Sequence, residues 1–216
     1  MLTILDEKGK PLGVQSIPES FAEGKKVIVD LGTGNGRFSY LLAKSMPENA
    51  VIGIDPVALN LEKYWKKARK NLYRQGQRNL LYIIASAEDL DPSLHGIAQE
   101  IYVNFPWGSL LEGIVKGQAG ILRGIAALGQ KGTPVHLHFS YSSLHDAGEI
   151  ARRKLPFLTP EYILGDLKEA FLRAGLEILS LRTMEGEELK EFGSHWSKIL
   201  YLGKSRDVYA LECVVS

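Results

Sequence analysis

The sequence contains very little cysteine and no apolar run long enough to cross a membrane. Its 216 residues include one cysteine, Cys213, so no disulfide can form within the chain, which is typical of proteins in a reducing cytosol. No apolar run approaches the roughly 18 residues of a transmembrane helix. Residues 1–5 lack the architecture of a signal peptide. We therefore expect a cytoplasmic protein without a membrane partner.

The chain also lacks a net charge excess, an internal repeat and a low-complexity segment. Its formal charge is +1, with 45% hydrophobic and 24% charged residues, which are ordinary values for a globular protein. Residues 1–216 are most simply one domain, long enough for a sheet with helices on both faces. Because the overall charge is nearly neutral, a nucleic-acid surface must come from local clusters of charge.

One stretch, KVIVDLGTGNGR at residues 26–37, organises the rest of the chain. Residues 27–29 are a short apolar run typical of a central buried strand, and Asp30 follows them. Glycine at alternate positions lets the backbone turn sharply and approach a ligand without a Cβ in the way. A plain structural turn is the alternative. The position between a strand and a helix favours a nucleotide-like cofactor, bound by Asp30 and by Gly32, Gly34 and Gly36.

Two common nucleotide-binding motifs are excluded by what surrounds these glycines. The sequence contains no Gly-Lys-Ser or Gly-Lys-Thr, so it has no P-loop. A dinucleotide fingerprint needs a third small residue after Gly36 to seat the helix against the pyrophosphate. Arg37 and Phe38 stand there instead, which argues against NAD and FAD.

Apolar runs that alternate with helical patterns predict a doubly wound α/β sheet of about seven strands, preceded by an N-terminal hairpin within residues 1–20. Ligands of such sheets bind at the carboxyl ends of the strands. Two segments, residues 142–160 and 184–206, are polar and lack a regular pattern. The predicted strands cover residues 27–31, 50–55, 80–85, 101–105, 135–141, 176–182 and 208–215, and the predicted helices cover residues 36–45, 58–75, 109–128 and 160–174.

An acid also ends the second predicted strand. Asp55 precedes Pro56 and the next helix, so its carboxylate can accept hydrogen bonds from both hydroxyls of a ribose. Capping of the following helix is the alternative. The glycines upstream favour the ribose.

Four motifs resemble those of the aminoglycoside-resistance 16S rRNA (adenine(1408)-N1)-methyltransferases. They are DLGTGNGR, IGIDP, FPWGSLLE and SHWSKILYLGKSR, which appear in matching order over nearly the whole chain. FPWGSLLE is the most specific, although with Asn104 before it the string NFPW also looks like the Asn-Pro-Pro-Tyr signature of adenine N6-methyltransferases. The resemblance implies a class I, Rossmann-like methyltransferase fold, mostly parallel with an antiparallel last strand, and S-adenosylmethionine as cofactor. It also implies that residues 142–160 and 184–206 are extended linkers that bind the substrate.

The resemblance also implies roles for individual residues. Asp30 is expected to help hold the ammonium group of the cofactor, and Ala87 and Glu88 are expected to meet its adenine edge. A first-turn helix acid is the alternative for Glu88. Ser109 and Ser194 are expected to contact the cofactor or the base, with helix capping or solvation as alternatives.

The sequence departs from the family pattern at two positions. Members often carry aspartate where Asn35 stands and arginine where Ile199 stands. The first departure affects a cofactor contact, and the second removes one expected RNA contact.

Tryptophans suggest how a base is held. Chemistry on a base edge requires flipping at a cost of a few kcal/mol, and stacking on an aromatic ring returns ~1–3 kcal/mol. Trp107 follows a strand end, and Trp196 lies in a polar insertion; burial in the core is the alternative for both. The resemblance places a flipped adenine between these two rings. Trp65 belongs to a helical apolar stripe and is predicted to be core.

Basic residues cluster locally. Residues 60–80 contain seven Lys or Arg and one acid, a net charge of +6. A solvated helix face is the usual explanation of such charges, but this one-sided excess favours a phosphate backbone. The expected RNA-binding residues are Lys66, Lys67, Lys70, Arg152, Arg153, Lys198, Lys204 and Arg206.

The resemblance therefore implies a monomeric enzyme that methylates N1 of adenine 1408 in 16S rRNA of the 30S subunit and confers aminoglycoside resistance. Adenine N1 keeps an in-plane lone pair, so no general acid or base is assigned. His136 and His138 share a strand face without Cys or carboxylate partners at metal spacing, and no metal site is expected. Two alternatives are a tRNA (guanine-N7) methyltransferase and a non-catalytic, cofactor-binding ribosome-associated protein.

Overall fold

The computed structural model describes residues 1–6, 8–70, 78–184, 188 and 207–216. Within these residues nine strands form one mixed sheet in the order β2-β1-β5-β4-β3-β6-β7-β9-β8. The strands are β1 (Leu2–Leu5), β2 (Pro11–Val14), β3 (Val27–Leu31), β4 (Ala50–Ile54), β5 (Leu80–Ile83), β6 (Glu100–Asn104), β7 (Pro134–Phe139), β8 (Leu176–Thr183) and β9 (Tyr209–Val215).

Helices cover the sheet and connect its strands. The segment from α7 to α8 is continuous, because a π-helical turn at Ile163–Leu167 joins them. No helix of the described ranges is long and apolar enough to cross a membrane. The helices are α1 (Glu19–Ala22), α2 (Arg37–Ser45), α3 (Ala58–Lys70), α4 (Gly108–Val115), α5 (Ala119–Ala127), α6 (Ser143–Arg153), α7 (Pro160–Tyr162) and α8 (Lys168–Arg173).

The sheet is mostly parallel, with antiparallel strands at both edges. Strands β3 to β7 run parallel, and β9 lies antiparallel between β7 and β8. This confirms the predicted α/β class with a mixed sheet. The sheet has nine strands rather than about seven, because the antiparallel pair β1–β2 joins its edge where Ile4 pairs with Ile83.

The central strands β3 and β4 appear in the sequence as clear apolar runs because they are buried on both faces. Every residue of β3 and β4 is buried, so both faces of these strands favour apolar side chains and the sequence reads as continuous apolar runs. Ile52, Ile101 and Phe139 lie in the main core with 0% exposure. The ends of these strands are therefore fixed positions from which loops project.

Trp65 lies in the core, as predicted. Its side chain is 8% exposed and packs in a cluster with Leu61 and Tyr82. The backbone of Gly9, in the turn between β1 and β2, lies directly against the Trp65 ring. The N-terminal strands are therefore attached to α3 as well as to the sheet edge.

Residues 142–160 differ from the predicted extended linker. Ser143–Arg153 forms helix α6, held by an ion pair between Glu149 and Arg152 at 2.7 Å and by a second pair between Glu149 and Arg153. Pairs at this spacing stabilise helices. Residues 185–187 and 189–206 lie outside the described residues, and the second linker remains a prediction.

Helix α5 approaches the turn after β5 very closely at one glycine. A Cβ placed on Gly124 would lie 1.8 Å from the carbonyl oxygen of Ala87, whereas a Cβ on Gly120 in the same helix would meet no atom within 4 Å. Because Gly124 has no side chain, the backbone at Ala87 can lie directly against α5.

Gly124→Ala should destabilise the protein, because either α5 or the turn at Ala87 must move. We expect a loss of about 1–3 kcal/mol, as for other overpacked positions. Gly120→Ala, the matched control in the same helix, should be neutral or stabilise by up to about 1 kcal/mol through helix propensity. Urea unfolding of both variants measures the difference. Equal stability of Gly124→Ala and wild type would contradict this packing.

Candidate active site

A cleft with a volume of about 550 Å³ opens at the carboxyl edge of the parallel strands. This volume lies within the usual range of small-molecule sites. Four chain segments line it, each of which follows a parallel strand: residues 31–35 after β3, residues 55–57 and 60 after β4, residues 85–88 after β5 and residues 104–110 at the end of β6.

The glycine loop after β3 forms the first wall. Gly32 and Gly34 line the cleft and have positive φ angles of +72° and +59°. A Cβ on Gly34 would meet no atom within 4 Å, so this backbone is open to a ligand. Gly36 is not among the lining residues; it begins α2 and its carbonyl accepts a 2.6 Å hydrogen bond from the Tyr82 hydroxyl.

Asp30 lies directly beneath this loop. The residue is 1% exposed, and its Oδ2 accepts a 2.7 Å hydrogen bond from the Ser39 hydroxyl. Burial raises the pKa of Asp30 to about 6. The other oxygen, Oδ1, is buried without a hydrogen-bond partner, which suits a nearby cationic group. Asp30 does not line the cleft, so its predicted contact with an ammonium group stays a prediction.

Asp55 joins the first wall to the second. Its Oδ2 accepts a hydrogen bond from the Gly34 amide at 2.9 Å, and its Oδ1 accepts from the Val57 amide at 3.0 Å and the Asn60 side chain at 3.3 Å. Burial raises the pKa of Asp55. A carboxylate has about four acceptor positions, so Asp55 orders the turn into α3 and still has capacity for a ribose hydroxyl.

The third wall is the turn after β5. Ala87 is buried and Glu88 is exposed, and both line the cleft. Glu88 lies in a turn, and the next helical residues begin at Pro92. The alternative that Glu88 is a first-turn helix acid is therefore wrong.

The fourth wall of the cleft is formed by residues 104–110, which include Trp107. Phe105 adopts a positive φ of 50°, a conformation that bulky residues seldom adopt. Trp107 follows it, lines the cleft and is 39% exposed, so the alternative of a core tryptophan is wrong. Ser109 is exposed in the first turn of α4 and lines the cleft, and that helix has no side-chain cap.

Sequence reasoning missed the side chain of Asn104 as a site residue. Asn104 lines the cleft at the end of β6, and its Oδ1 lies 2.7 Å from Nδ1 of His138. These residues are directly paired in the register of β6 and β7. The period-two pattern of both strands was available in the sequence, but the alignment between the strands was not.

The predicted RNA-binding residues divide into three groups. Lys66 and Lys67 are exposed on α3, where Lys66 pairs with Glu62 and the Lys67 ammonium lies 4.9 Å from the centre of the Tyr64 ring. Arg152 is exposed and Arg153 is half-buried, and both pair with Glu149. The third group lies outside the described residues or has no described side chain: Lys70, Lys198, Lys204 and Arg206. Ser194, Trp196 and Ile199, for which other roles were considered, also lie outside the described residues.

Arg153 has a partner on the neighbouring helix as well. Its guanidinium donates a 2.7 Å hydrogen bond to Glu112 of α4. It therefore fastens α6 to the helix that follows Trp107, and its RNA contact stays a prediction.

The histidines occupy a polar stripe of the sheet. His136 lies between Glu100, at 3.2 Å, and Glu212, at 2.5 Å. Burial lowers its pKa, but the bonds and charges of these two carboxylates outweigh burial and raise the pKa above its ordinary value. In the part of the chain that the structure describes, no group of three or more His, Cys, Asp or Glu side chains is arranged to hold a metal ion.

Comparisons with known proteins place the chain among RNA methyltransferases. A family model described as NpmA, 16S rRNA (adenine(1408)-N(1))-methyltransferase, matches residues 8–215. The chain is 35% identical over 217 residues to a 16S rRNA (adenine(1408)-N(1))-methyltransferase of Escherichia coli, covering 100% of this chain and 99% of the relative. It is 33% identical over 195 residues to a protein of the same name from Streptoalloteichus tenebrarius, covering 88% and 87%.

A solved structure agrees with these relatives. The crystal structure of a mutant 16S rRNA (adenine(1408)-N(1))-methyltransferase from Catenulisporales acidiphilia, with cosubstrate SAM, matches with a TM-score of 0.86 at 29% identity. The match covers 100% of this chain and 97% of that one. The motifs, the cleft at the carboxyl edge and these matches lead to one conclusion: the chain belongs to the 16S rRNA (adenine(1408)-N(1))-methyltransferase family.

Proposed function

We propose that this protein transfers a methyl group from S-adenosylmethionine to N1 of adenine 1408 in 16S rRNA, within the 30S subunit, and so confers aminoglycoside resistance. The observation that carries the proposal is that one cleft contains both a cofactor wall, built from the glycine loop and Asp55, and an exposed aromatic ring, Trp107. Membership of the family supports the same chemistry.

The cofactor's parts match the walls of the cleft. Gly32 and Gly34 present backbone without a Cβ to the methionine moiety, next to the unpartnered Oδ1 of Asp30. Asp55 has acceptor capacity for a ribose hydroxyl, and Ala87 and Glu88 provide the wall for the adenine edge. When bound, S-adenosylmethionine supplies a methyl group on a positively charged sulfonium.

The reaction itself requires orientation rather than a base. The lone pair of adenine N1 attacks the methyl carbon, the bond from that carbon to sulfur breaks, and the electron pair of that bond remains on sulfur. No proton is removed from N1, so the protein contributes chiefly by alignment. This agrees with the positions of the two buried acids, Asp55 in the cleft wall and Asp30 beneath the glycine loop, on the cofactor side.

We place the flipped base against Trp107, with Trp196 as the second ring. Trp107 is exposed at the mouth of the cleft, whereas Trp196 lies outside the described residues. Flipping costs a few kcal/mol, and stacking returns ~1–3 kcal/mol per ring, so two rings roughly offset the cost of extruding the base.

The 30S subunit would dock on exposed cations. Lys63, Lys66 and Lys67 are exposed on α3, whose first residues follow the cleft wall at Asp55. Such a surface next to the site suits an RNA backbone. We assign Lys70, Lys198, Lys204 and Arg206 to the same interface from the sequence. We also propose that residues 1–216 act as one monomeric domain.

Two other functions remain as outcomes of the tests. A tRNA (guanine-N7) methyltransferase would use the same cofactor wall and a different base, and a non-catalytic ribosome-associated protein would bind without modifying RNA. The exposed Trp107 in the cofactor cleft favours catalysis on a base over binding alone.

Trp107→Ala should lose most methylation, because removing one stacking ring withdraws ~1–3 kcal/mol from the flipped base, or roughly 5- to 150-fold in rate. Trp107→Phe keeps a stacking face and should retain part of the activity. Tritiated methyl incorporation into 30S subunits measures this, with calorimetric cofactor affinity as the control. Normal methylation by the alanine variant would remove Trp107 from the mechanism, and incorporation into tRNA instead of 30S subunits would favour the guanine-N7 alternative.

The basic face of α3 generates a second prediction. Lys66→Ala/Lys67→Ala should weaken 30S binding and reduce the slope of log affinity against log salt by about 1–2, since each phosphate contact contributes about 0.9. The matched control is Lys131→Ala/Lys168→Ala, which removes the same charge from exposed positions away from the cleft. If both double variants gave equal slopes of log affinity against log salt, the lysines of α3 would be solvated charges that do not contact RNA.

A further inference from the structure

Asp30 is a buried acid that the described part of the chain leaves without a cationic partner. The residue is 1% exposed in β3, and its Oδ1 accepts no hydrogen bond. The one charge that acts on it among the described residues is that of Asp55, which is also negative. A buried charge without a partner is costly, and such groups are concentrated at functional sites. Neutral groups must therefore support the charged form of Asp30.

Two hydroxyl groups form a chain between this acid and the cleft. Thr33 Oγ1 lies 2.6 Å from Ser39 Oγ, which in turn lies 2.7 Å from Asp30 Oδ2. An ionised carboxylate can only accept hydrogen bonds, so Ser39 donates its proton to Asp30 and accepts the proton of Thr33. Both protons then point toward the carboxylate, which favours its charged form. Since Thr33 lines the cleft, the chain joins the buried acid to the glycine loop.

Packing fixes the position of the middle hydroxyl. Ser39 is 0% exposed and is the third residue of α2. A Cβ placed on Gly53 would lie 2.6 Å from Ser39 Oγ, and Gly53 is the partner of Asp30 in the register of β3 and β4. Because Gly53 has no side chain, the Ser39 hydroxyl fits directly beside Asp30.

The surroundings of Asp30 act on its pKa in opposite directions. Burial raises this pKa to about 6, and the charge of Asp55 raises it as well, whereas the hydrogen bonds of Ser39 and Thr33 lower it. The two hydroxyl groups therefore act together to keep the acid ionised near neutral pH.

We propose that Ser39 is a positioning residue for the cofactor: together with Thr33 it keeps Asp30 ionised and fixed beneath the glycine loop, where the carboxylate attracts the positively charged S-adenosylmethionine. The attraction acts across the loop, because opposite charges interact over several Å in a partly buried site. Asp30 thus needs no exposed surface in the cleft; its neighbour Leu31 already lines it. The inference rests on the cofactor of the proposed function.

The proposal links cofactor binding to the release of a proton. If the cofactor binds more tightly to ionised Asp30, its affinity falls as the pH falls through the pKa of this acid in the free protein. The α-amino and α-carboxyl groups of the cofactor keep their charges between about pH 5 and 7. Two tyrosines also face Asp30, Tyr82 of β5 and its register partner Tyr102 of β6. Burial raises the pKa of both, so neither titrates in this range.

Calorimetry of S-adenosylmethionine binding from pH 5 to 7.5, in two buffers of different ionisation enthalpy, gives both the affinity and the number of protons released. Wild type should bind about 10-fold more weakly at pH 5 than at pH 7.5 and release about half a proton at pH 6. Asp30→Asn should bind weakly at every pH and release no proton. Ser39→Ala loses a hydrogen bond to a charged group, so its midpoint should lie about one pH unit higher. Its affinity should be about 5-fold below wild type at pH 6 and nearly equal at pH 7.5.

The matched control is Ser45→Ala, which removes an exposed hydroxyl from the same helix and should match wild type. Thr33→Val should move the midpoint in the same direction as Ser39→Ala but by less, and these two variants carry the test even if Asp30→Asn does not fold. Circular dichroism checks that each variant is folded at each pH.

Identical pH profiles for Ser39→Ala and wild type would overturn the inference, and so would a loss of affinity that is the same at every pH, since that indicates a purely structural role. Proton release that persists in Asp30→Asn would assign the titration to another acid and overturn it as well. Cofactor binding with the expected profile but without methylation of 30S subunits would instead reject the proposed function and leave this inference standing.

Discussion

The hydrogen bond from the Gly34 amide to Asp55 Oδ2, 2.9 Å long, is the contact on which the cleft depends. It joins the loops that follow two adjacent parallel strands, and it exists because both strands are buried and end at the same edge. The left-handed turn at Gly34 brings its N–H to the carboxylate. One interaction thus fixes the glycine loop and the acceptor expected to meet the cofactor's ribose.

The cleft is divided chemically along its length. Two buried carboxylates, Asp55 in the cleft wall and Asp30 beneath it, lie at the ends of β4 and β3, whereas the end of β6 offers an amide and an aromatic ring, Asn104 and Trp107. Negative charge suits the cationic cofactor, and neutral groups suit a base that must remain unprotonated at N1. This division suits the proposed transfer of a methyl group from a cationic cofactor to a neutral base.

Sequence alone predicted the elements whose signals are local. Strand β3 was predicted at its observed bounds because burial on both faces leaves a continuous apolar run. Helix α6 was missed because none of its residues is buried, so the segment reads as a polar loop even though the pairs of Glu149 with Arg152 and Arg153 are local. The Asn104–His138 pair was missed because it requires the register of β6 against β7, which no local pattern encodes.

The family resemblance predicted the walls of the cleft, and the structure qualifies two of its residues. Gly36 turns the chain into α2 against Tyr82, and Asp30 lies beneath the loop rather than at the surface of the cleft. Trp107 and Asp55 stand in the cleft as the motifs indicated. The spacing of motifs in the sequence indicates which loops form the cleft. Which side chains of those loops are exposed to a ligand depends on burial in the folded protein.

Primer extension on 16S rRNA from treated 30S subunits tests the central claim most directly. N1 methylation blocks Watson–Crick pairing, so reverse transcriptase should stop at adenine 1408 when protein and S-adenosylmethionine are both present, and should read through when either is absent. Read-through under all conditions, or a stop that does not depend on the cofactor, would contradict the account.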